Sequence, residues 1–309
     1  MAAAVESLMY VREVPWHGLG KQLEYAPSSK EAIIAAELDW RVDSLPIYDA
    51  AGKEIPGFKA NTRDKDGKVL GIVGKKYTIV QNADAFDFTD SLIDEGMVYE
   101  TAGSLLGGRK IWLLGKMPEQ KILDDAVEPY VCFVNSHDGT GAVKVCMVNV
   151  RVVCNNTLNL ALKTAKRTWS TTHVGNMDQK LTEARETLGL IEEYNNALAA
   201  EAEILATKKI SDLEINKIFD TVYPIDPEVD SKRKIENVAA IKGGLMRCYD
   251  APDIANFKGT VWGLMNAVSD YISHSTPNRV TDTYRENNFG RIITGHPIFD
   301  QFYRLAKAA

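Results

Sequence analysis

The residues best suited to bind an anion are concentrated in one stretch. Between Asp138 and Asp178 there is no Asp or Glu, while Lys144, Arg151, Lys163, Lys166 and Arg167 all fall there. The chain as a whole has a formal net charge of -6, so this stretch is a local reversal. Binding follows local potential rather than net charge, and a series of cations is what tracks a phosphate backbone. On a helix, Lys163, Lys166 and Arg167 are i, i+3 and i+4 neighbours and share one face. The ordinary reading of such a cluster is a solvated face. A second basic point is Arg109-Lys110, next to Gly107-Gly108 and followed by Trp112. A basic hairpin tip beside an aromatic suits single-stranded nucleic acid, where stacking is worth about 1–3 kcal/mol per base. Its ordinary reading is an edge strand protected by charge. Trp169 is the other candidate for stacking.

Other chemistries find less. Cys132, His137, Asp138 and Cys146 lie close in sequence, yet their spacing matches no standard zinc pattern, and no C-x-x-C occurs. Cys132 and Cys154 fall in apolar strand-like runs, where a thiol is normally inert. His17 in PWHGLG reads as a loop histidine. LLGGRK lacks the phosphate-loop spacing, and no G-x-G-x-x-G is present. The carboxylates scatter without an acid–base pair. The residues therefore suggest no catalytic group, no metal and no cofactor.

The elements that must position the cations can be read from periodicity and turn chemistry. Ser28-Ser29 with Glu31 predict a helix start. Trp40 to Tyr48 reads as a strand that Pro46 pushes to an edge. Phe58 to Arg63 and Val69 to Val73 form a hairpin around Asp64-Lys-Asp-Gly67. Tyr77 to Val80 favours β structure, and a helix follows over 82–95. Strands near 98–105 and 109–116 flank the Gly-Gly turn. A polar connection without clear structure covers 119–128. Strands at 130–136 and 143–154 come next. The longer one has no cleanly polar face, so it is expected in the middle of a sheet with both sides covered, and Asn149 or Arg151 would then need partners. Asn155-Asn156-Thr157 caps a helix over 157–168, whose N-terminal N–H groups at Asn156 would suit a phosphate. Residues 1–25 look irregular. Beyond Trp169 the pattern is helical: one long helix from 177 to about 206, then 213–219, 232–249, 260–274 and 297–307.

This ordering predicts an α+β chain. A hairpin-rich antiparallel sheet with packed helices occupies 1–170, and a helical domain occupies 171–309. Hydrophobic residues make up 45% and charged residues 25%, which suits a globular protein with a core of its own. No run approaches the length of a membrane span, and the N-terminus lacks the features of a secretory signal. Together with the cysteine usage, these features predict a cytoplasmic protein.

Several stretches together resemble a known family: PWHGLG at 15–20, YTIVQNADAF at 77–86, NSHDGTGA at 135–142, VRVVCNNTL at 150–158 and TVWGLMNAVSDYISH at 260–274. They are similar to the phage/plasmid-like domain-of-unknown-function family 932, found in phages, plasmids and integrated elements. That resemblance implies a bacterial host cell and no assigned chemistry. The order helix 82–95, two hairpins, helix 157–168 also resembles the core of phage single-strand annealing recombinases of the RecT, Redβ and Erf types. Those proteins form rings or filaments with DNA in a basic groove.

The expectation is a non-catalytic single-stranded DNA-binding and annealing protein, forming a homo-oligomeric ring or filament. Arg109, Lys110, Lys144, Arg151, Asn156, Lys163, Lys166 and Arg167 would contact DNA, with Trp112 or Trp169 stacking. A structural or protein-interaction factor acting on a host defence component is the alternative. An enzyme would need Cys154, His17 or His137 to converge in a pocket.

Overall fold

The computed structural model describes residues 5–11, 20–93, 96–123, 125–151, 156–157, 168–188, 191–275 and 296–309. His17, Cys154, Lys163, Lys166 and Arg167 lie outside them, as does most of the predicted helix over 157–168. The chain forms two units that interleave along the sequence. The first takes Met1–Pro118, Pro129–Met147 and Arg167–Ile191; the second takes Glu119–Glu128, Val148–Lys166 and Glu192–Ala309.

The first unit is strand-rich. Its elements are β1 (Val5–Val11), β2 (Lys21–Leu23), α1 (Ser29–Ala35), β3 (Val42–Tyr48), β4 (Glu54–Arg63), β5 (Val69–Gly74), α2 (Asn82–Ile93), β6 (Val98–Leu105) and β7 (Lys110–Lys116). They are joined by most of β9 (Asp125–Ser136), the first part of β10 (Val143–Arg151), β12 (Thr168–Thr171) and α3 (Met177–Leu188). The larger sheet runs β10-β9-β7-β6-β1-β2, with β12 also on β10. Its β1–β6, β6–β7, β7–β9 and β10–β12 pairs are antiparallel, while β1–β2 is parallel. A separate three-stranded sheet has the order β3-β4-β5.

Local chemistry explains several of these boundaries. Ser28 and Glu31 form a capping box, each side chain bonding the other's backbone N–H. Pro46 sits on β3, an edge strand, where no ladder donor is required. Leu113 on β7 lies opposite Phe133 on β9. Phe88 of α2 packs on Phe133 with ring centroids 5.6 Å apart. Both phenylalanines are fully buried, each contributing about 1.5–3 kcal/mol. Arg185 of α3 places its guanidinium over the same Phe88 ring and donates to the Asp87 carbonyl.

Two regions expected to be irregular are ordered. Residues 5–11 form β1, paired along β6, and 120–122 form β8, which pairs with the start of β9. Tyr77 to Val80 is not a strand; Tyr77 makes one isolated bridge to Val174. Asn156-Thr157 does not begin a helix. It forms the short strand β11, pairing with Val150 and Arg151. An extended strand turns successive N–H groups to opposite sides, so these two residues do not offer the converging N–H groups of a helix start.

The second unit is mostly helical: α4 (Ile191–Thr207), α5 (Asp212–Val222), α6 (Lys232–Tyr249), a 3-10 turn (Pro252–Phe257), α7 (Val261–His274) and α8 (Pro297–Ala308). The expected helix from 177 to 206 is assigned as α3 and α4, with 189–190 outside the described residues. Helix α7 is buried on every side from Val261 to Ser269. That accounts for its nearly continuous apolar sequence. The polar residue of β10 that needed a partner has one, since Asn149 donates to the Asn195 side chain at 3.1 Å. Among the described residues no helix is long and apolar enough to cross a membrane.

Candidate nucleic-acid interface

Turns at one end of the larger sheet bring several of the candidate residues together. The β6–β7 turn runs through Leu106, Gly107 and Gly108, all with positive φ (55°, 71° and 85°). The two glycines adopt this left-handed backbone without strain. The turn leaves Arg109 exposed, its Nε–H donated to the Leu106 carbonyl at 3.0 Å. Arg109 also accepts through its carbonyl from the His137 N–H at 2.7 Å, tying this turn to the 137–142 turn. That second turn lies against β5: a Cβ on Gly71 would stand 2.5 Å from Asp138 Cα.

Strand β5 consequently runs between two concave openings. One, about 640 Å³, is lined by Glu6, Lys68, Val69, Leu70, Leu106, Gly107 and Arg109. The other, about 400 Å³, is lined by Gly74, Lys76 and Tyr77, by Gly139 to Ala142 and by Thr172 to Val174. Val69 and Gly74 are five strand steps apart, about 17 Å.

The acids at this end are held by internal partners. Burial raises the Glu6 carboxyl, but hydrogen bonds and charge from Arg63 outweigh it and hold the carboxyl below its usual value. Asp66 is lowered to about 2, chiefly by its hydrogen bond from Arg63. Arg63 is buried, grips Glu6 at 2.9 Å and Asp66 at 2.6 Å, and lies over the Trp40 ring. Asp138 is raised by burial but lowered further by hydrogen bonds from Ser136 and Thr140, with Lys110 adding to the effect. Lys75, Lys76 and Arg109 are exposed, Lys110 is half-exposed, and Lys68 pairs with Glu6 at 3.7 Å.

Beneath the 137–142 turn lies a polar core. His137 donates from Nε2 to Asn82 Oδ1 at 2.9 Å, because the Asn82 amide nitrogen already donates to Leu38 and Trp40 carbonyls. His173 donates from Nδ1 to the Thr78 carbonyl at 3.0 Å and stacks on Tyr77 at 4.4 Å. Tyr77 in turn donates its hydroxyl to the Ser136 carbonyl. Each ring thus donates one N–H, and burial disfavours the charged form of both. Burial, then the proximity of His173, lowers His137 to about 3. Burial also lowers His173.

The candidate DNA-binding residues fare unevenly. Arg109 and Lys110 stand together on the exposed turn end. Lys144 is half-exposed and lies opposite Ser170 in the β10–β12 ladder, whereas Trp169 lies opposite Val145. Neighbouring strand positions face opposite sides, so Trp169 and Lys144 do not share a face. Trp112 is only 9% exposed. Its ring lies across Gly103 and its Nε1–H donates to Thr101 at 3.2 Å. That ring is core, so it does not stack on a ligand. Arg151 and Asn156 are placed by backbone pairing alone. Sequence reasoning missed Lys68 and Lys76, and the turn signals flanking β5 were the only hint of them.

Of the residues weighed for metal or nucleophilic chemistry, His17 and Cys154 lie outside the described residues. Cys132 and Cys146 are buried, and the Cys132 thiol is pushed up by its Cys146 neighbour and by burial. Among the described residues no group of three His, Cys, Asp or Glu side chains is arranged to hold a metal ion.

The family model described as Domain of unknown function (DUF932) matches residues 69–291. That span includes every residue lining the 400 Å³ opening. No curated protein matches the chain, and no solved structure matches it. The topological similarity to annealing recombinases thus has no counterpart among solved structures.

Proposed function

The chain belongs to the domain-of-unknown-function family DUF932, whose description assigns no activity, and from that premise we propose that it binds single-stranded DNA and promotes annealing without catalysis. The reading places it in the cytoplasm of a bacterium hosting a phage or mobile element. One observation carries it: two cation-bearing openings lie at the two ends of β5, where Glu6 of the first is paired with Arg63 and Lys68 and Asp138 is held by Ser136. Lys68 and Arg109 serve the first opening and Lys76 the second. The separation of about 17 Å corresponds to about five nucleotides at the ~3.4 Å spacing of a stacked strand. Lys110 and Lys144 extend the binding surface in this reading. Arg151, Asn156, Lys163, Lys166 and Arg167 contribute from the acid-free stretch.

The test is a salt titration of binding to an unstructured oligonucleotide. Arg109→Glu and Lys76→Glu are each expected to weaken affinity about tenfold at low salt. Each should also reduce the salt slope by about 0.7 for every phosphate that is no longer neutralised. Arg151→Glu combined with Lys166→Glu should weaken it further. Wild-type protein should also accelerate pairing of complementary strands. Undetectable binding at low salt, or affinity untouched by all four substitutions, overturns the proposal.

A further inference from the structure

The three-stranded sheet has one covered face and one bare face. Asn61, Arg63, Val42 and Val73 are buried on the covered side. On the other side Leu45 (49%), Phe58 (54%), Val69 (54%) and Ile72 (52%) are about half exposed. Tyr48 and Ile55 are exposed farther along the same ribbon. Leu45, Phe58, Val69 and Ile72 together present on the order of 400 Å² of surface, within the range for a monomer's largest patch and about half of the ~800 Å² each partner gives a standard interface.

Register shows what fits there. Leu45, Ala60 and Ile72 lie directly opposite one another across the three strands, and Phe58 lies opposite Gly74. One row is therefore large-small-large, and the next sets a large Phe58 beside a bare Gly74, where an added Cβ would meet nothing within 4 Å. Each projection has a smaller residue two positions away on its own strand: Phe58 near Ala60, which its neighbours leave only 6% exposed, and Ile72 near the open Gly74. Those two rows contain no charged residue. We propose that this face is a two-fold interface with a second copy of the chain. A two-fold axis between stacked sheets, perpendicular to β4 and crossing it at Lys59, drops Phe58 of each copy onto Ala60 of the other. The same operation sets Ile72 over Gly74. A self-complementary patch of this kind is what a closed dimer requires, and stacked sheets pack about 10 Å apart. The face has no cation in those rows, so a polyanion gains nothing there.

Sedimentation velocity on the full chain, from sub-micromolar to tens of micromolar, reads the outcome. Wild type is expected to pass from monomer to dimer. Phe58→Ala should raise the dissociation constant about 100-fold, because a central aromatic anchor is removed twice per dimer. Ile72→Glu should give monomer at every concentration. Both side chains are already half exposed, so thermal unfolding of the monomer should barely move. The exchange Phe58→Ala with Ala60→Phe restores complementarity about the same axis and should recover much of the dimer. A wild type that stays monomeric throughout, or a dimer indifferent to Ile72→Glu, overturns the proposal.

Discussion

Arg63 is the residue on which the basic end depends. It is buried, and its guanidinium holds two carboxylates while shielding the Trp40 ring. Removing it frees Glu6 and Asp66 beside the larger opening. Arg63→Ala is expected to lower stability by about 1.5–3 kcal/mol, the range for hydrogen bonds to charged groups. It should weaken oligonucleotide binding as well, since two acids then face the ligand. Denaturant unfolding with a parallel binding titration checks both. His137 makes a prediction of opposite character. Its folded value near 3 lies below its ordinary value of 6.5, so the unfolded chain takes up a proton that the folded chain refuses. The stability is complete above about pH 6.5 and falls as pH drops from there toward 3. The slope approaches 1.4 kcal/mol per pH unit for one such group, and His173 adds in the same direction. His137→Gln keeps a donor for Asn82 and should flatten the melting-temperature profile between pH 6.5 and 5.

At the scale of elements, the β1–β6–β7 region leaves no room for added volume. A Cβ on Gly103 would stand 2.3 Å from the Ser7 carbonyl and 2.6 Å from the Trp112 ring. One of those neighbours is backbone and cannot swing aside. Gly103→Ala should cost about 2–3 kcal/mol, seen as an earlier urea midpoint. Gly103 also explains why Trp112 misled. An aromatic beside Arg109-Lys110 resembles a stacking platform, and only the pairing of β7 with β6 reveals the glycine beneath it. Elements set by nearby residues were legible: the Ser28–Glu31 cap, the β4–β5 turn, the Gly-Gly hairpin and the edge role of Pro46. Those set by distant partners were not. Strand β1 exists because of β6, some ninety residues later, as in the Leu8–Gly103 pairing. Asn156-Thr157 has good helix-capping chemistry, yet pairing with β10 decided its conformation. The candidate site divides in the same way. Its acid-free stretch was visible in the chain, whereas Lys68 and Lys76 join it only through distant partners, Lys68 with Glu6, Leu106 and Arg109 and Lys76 with the 139–142 turn.

For the whole molecule, no single cut yields the two units. The first needs Arg167–Ile191, and within it α3 brings Arg185 to α2. A fragment ending at residue 170 therefore lacks α3 and uncovers part of the Phe88 ring. It is expected to be poorly soluble or to unfold without a cooperative transition, whereas the full chain unfolds cooperatively. Calorimetry on both distinguishes these outcomes. The net charge of -6 does not contradict a basic end, since the acids there are occupied by Arg63, Ser136 and Thr140.

The interleaving also sets an order of events during synthesis. Strands β3, β4 and β5 occupy one continuous segment, Val42 to Gly74, and can pair as soon as that segment leaves the ribosome. The rest of the first unit must wait for Ile191, more than a hundred residues later. At 5–20 residues per second that delay is on the order of ten seconds. The apolar rows of Leu45, Phe58 and Ile72 therefore take shape well before the fold around them is complete. Neighbouring ribosomes on one message would carry matching faces at the same moment, so two nascent chains could meet before either is finished.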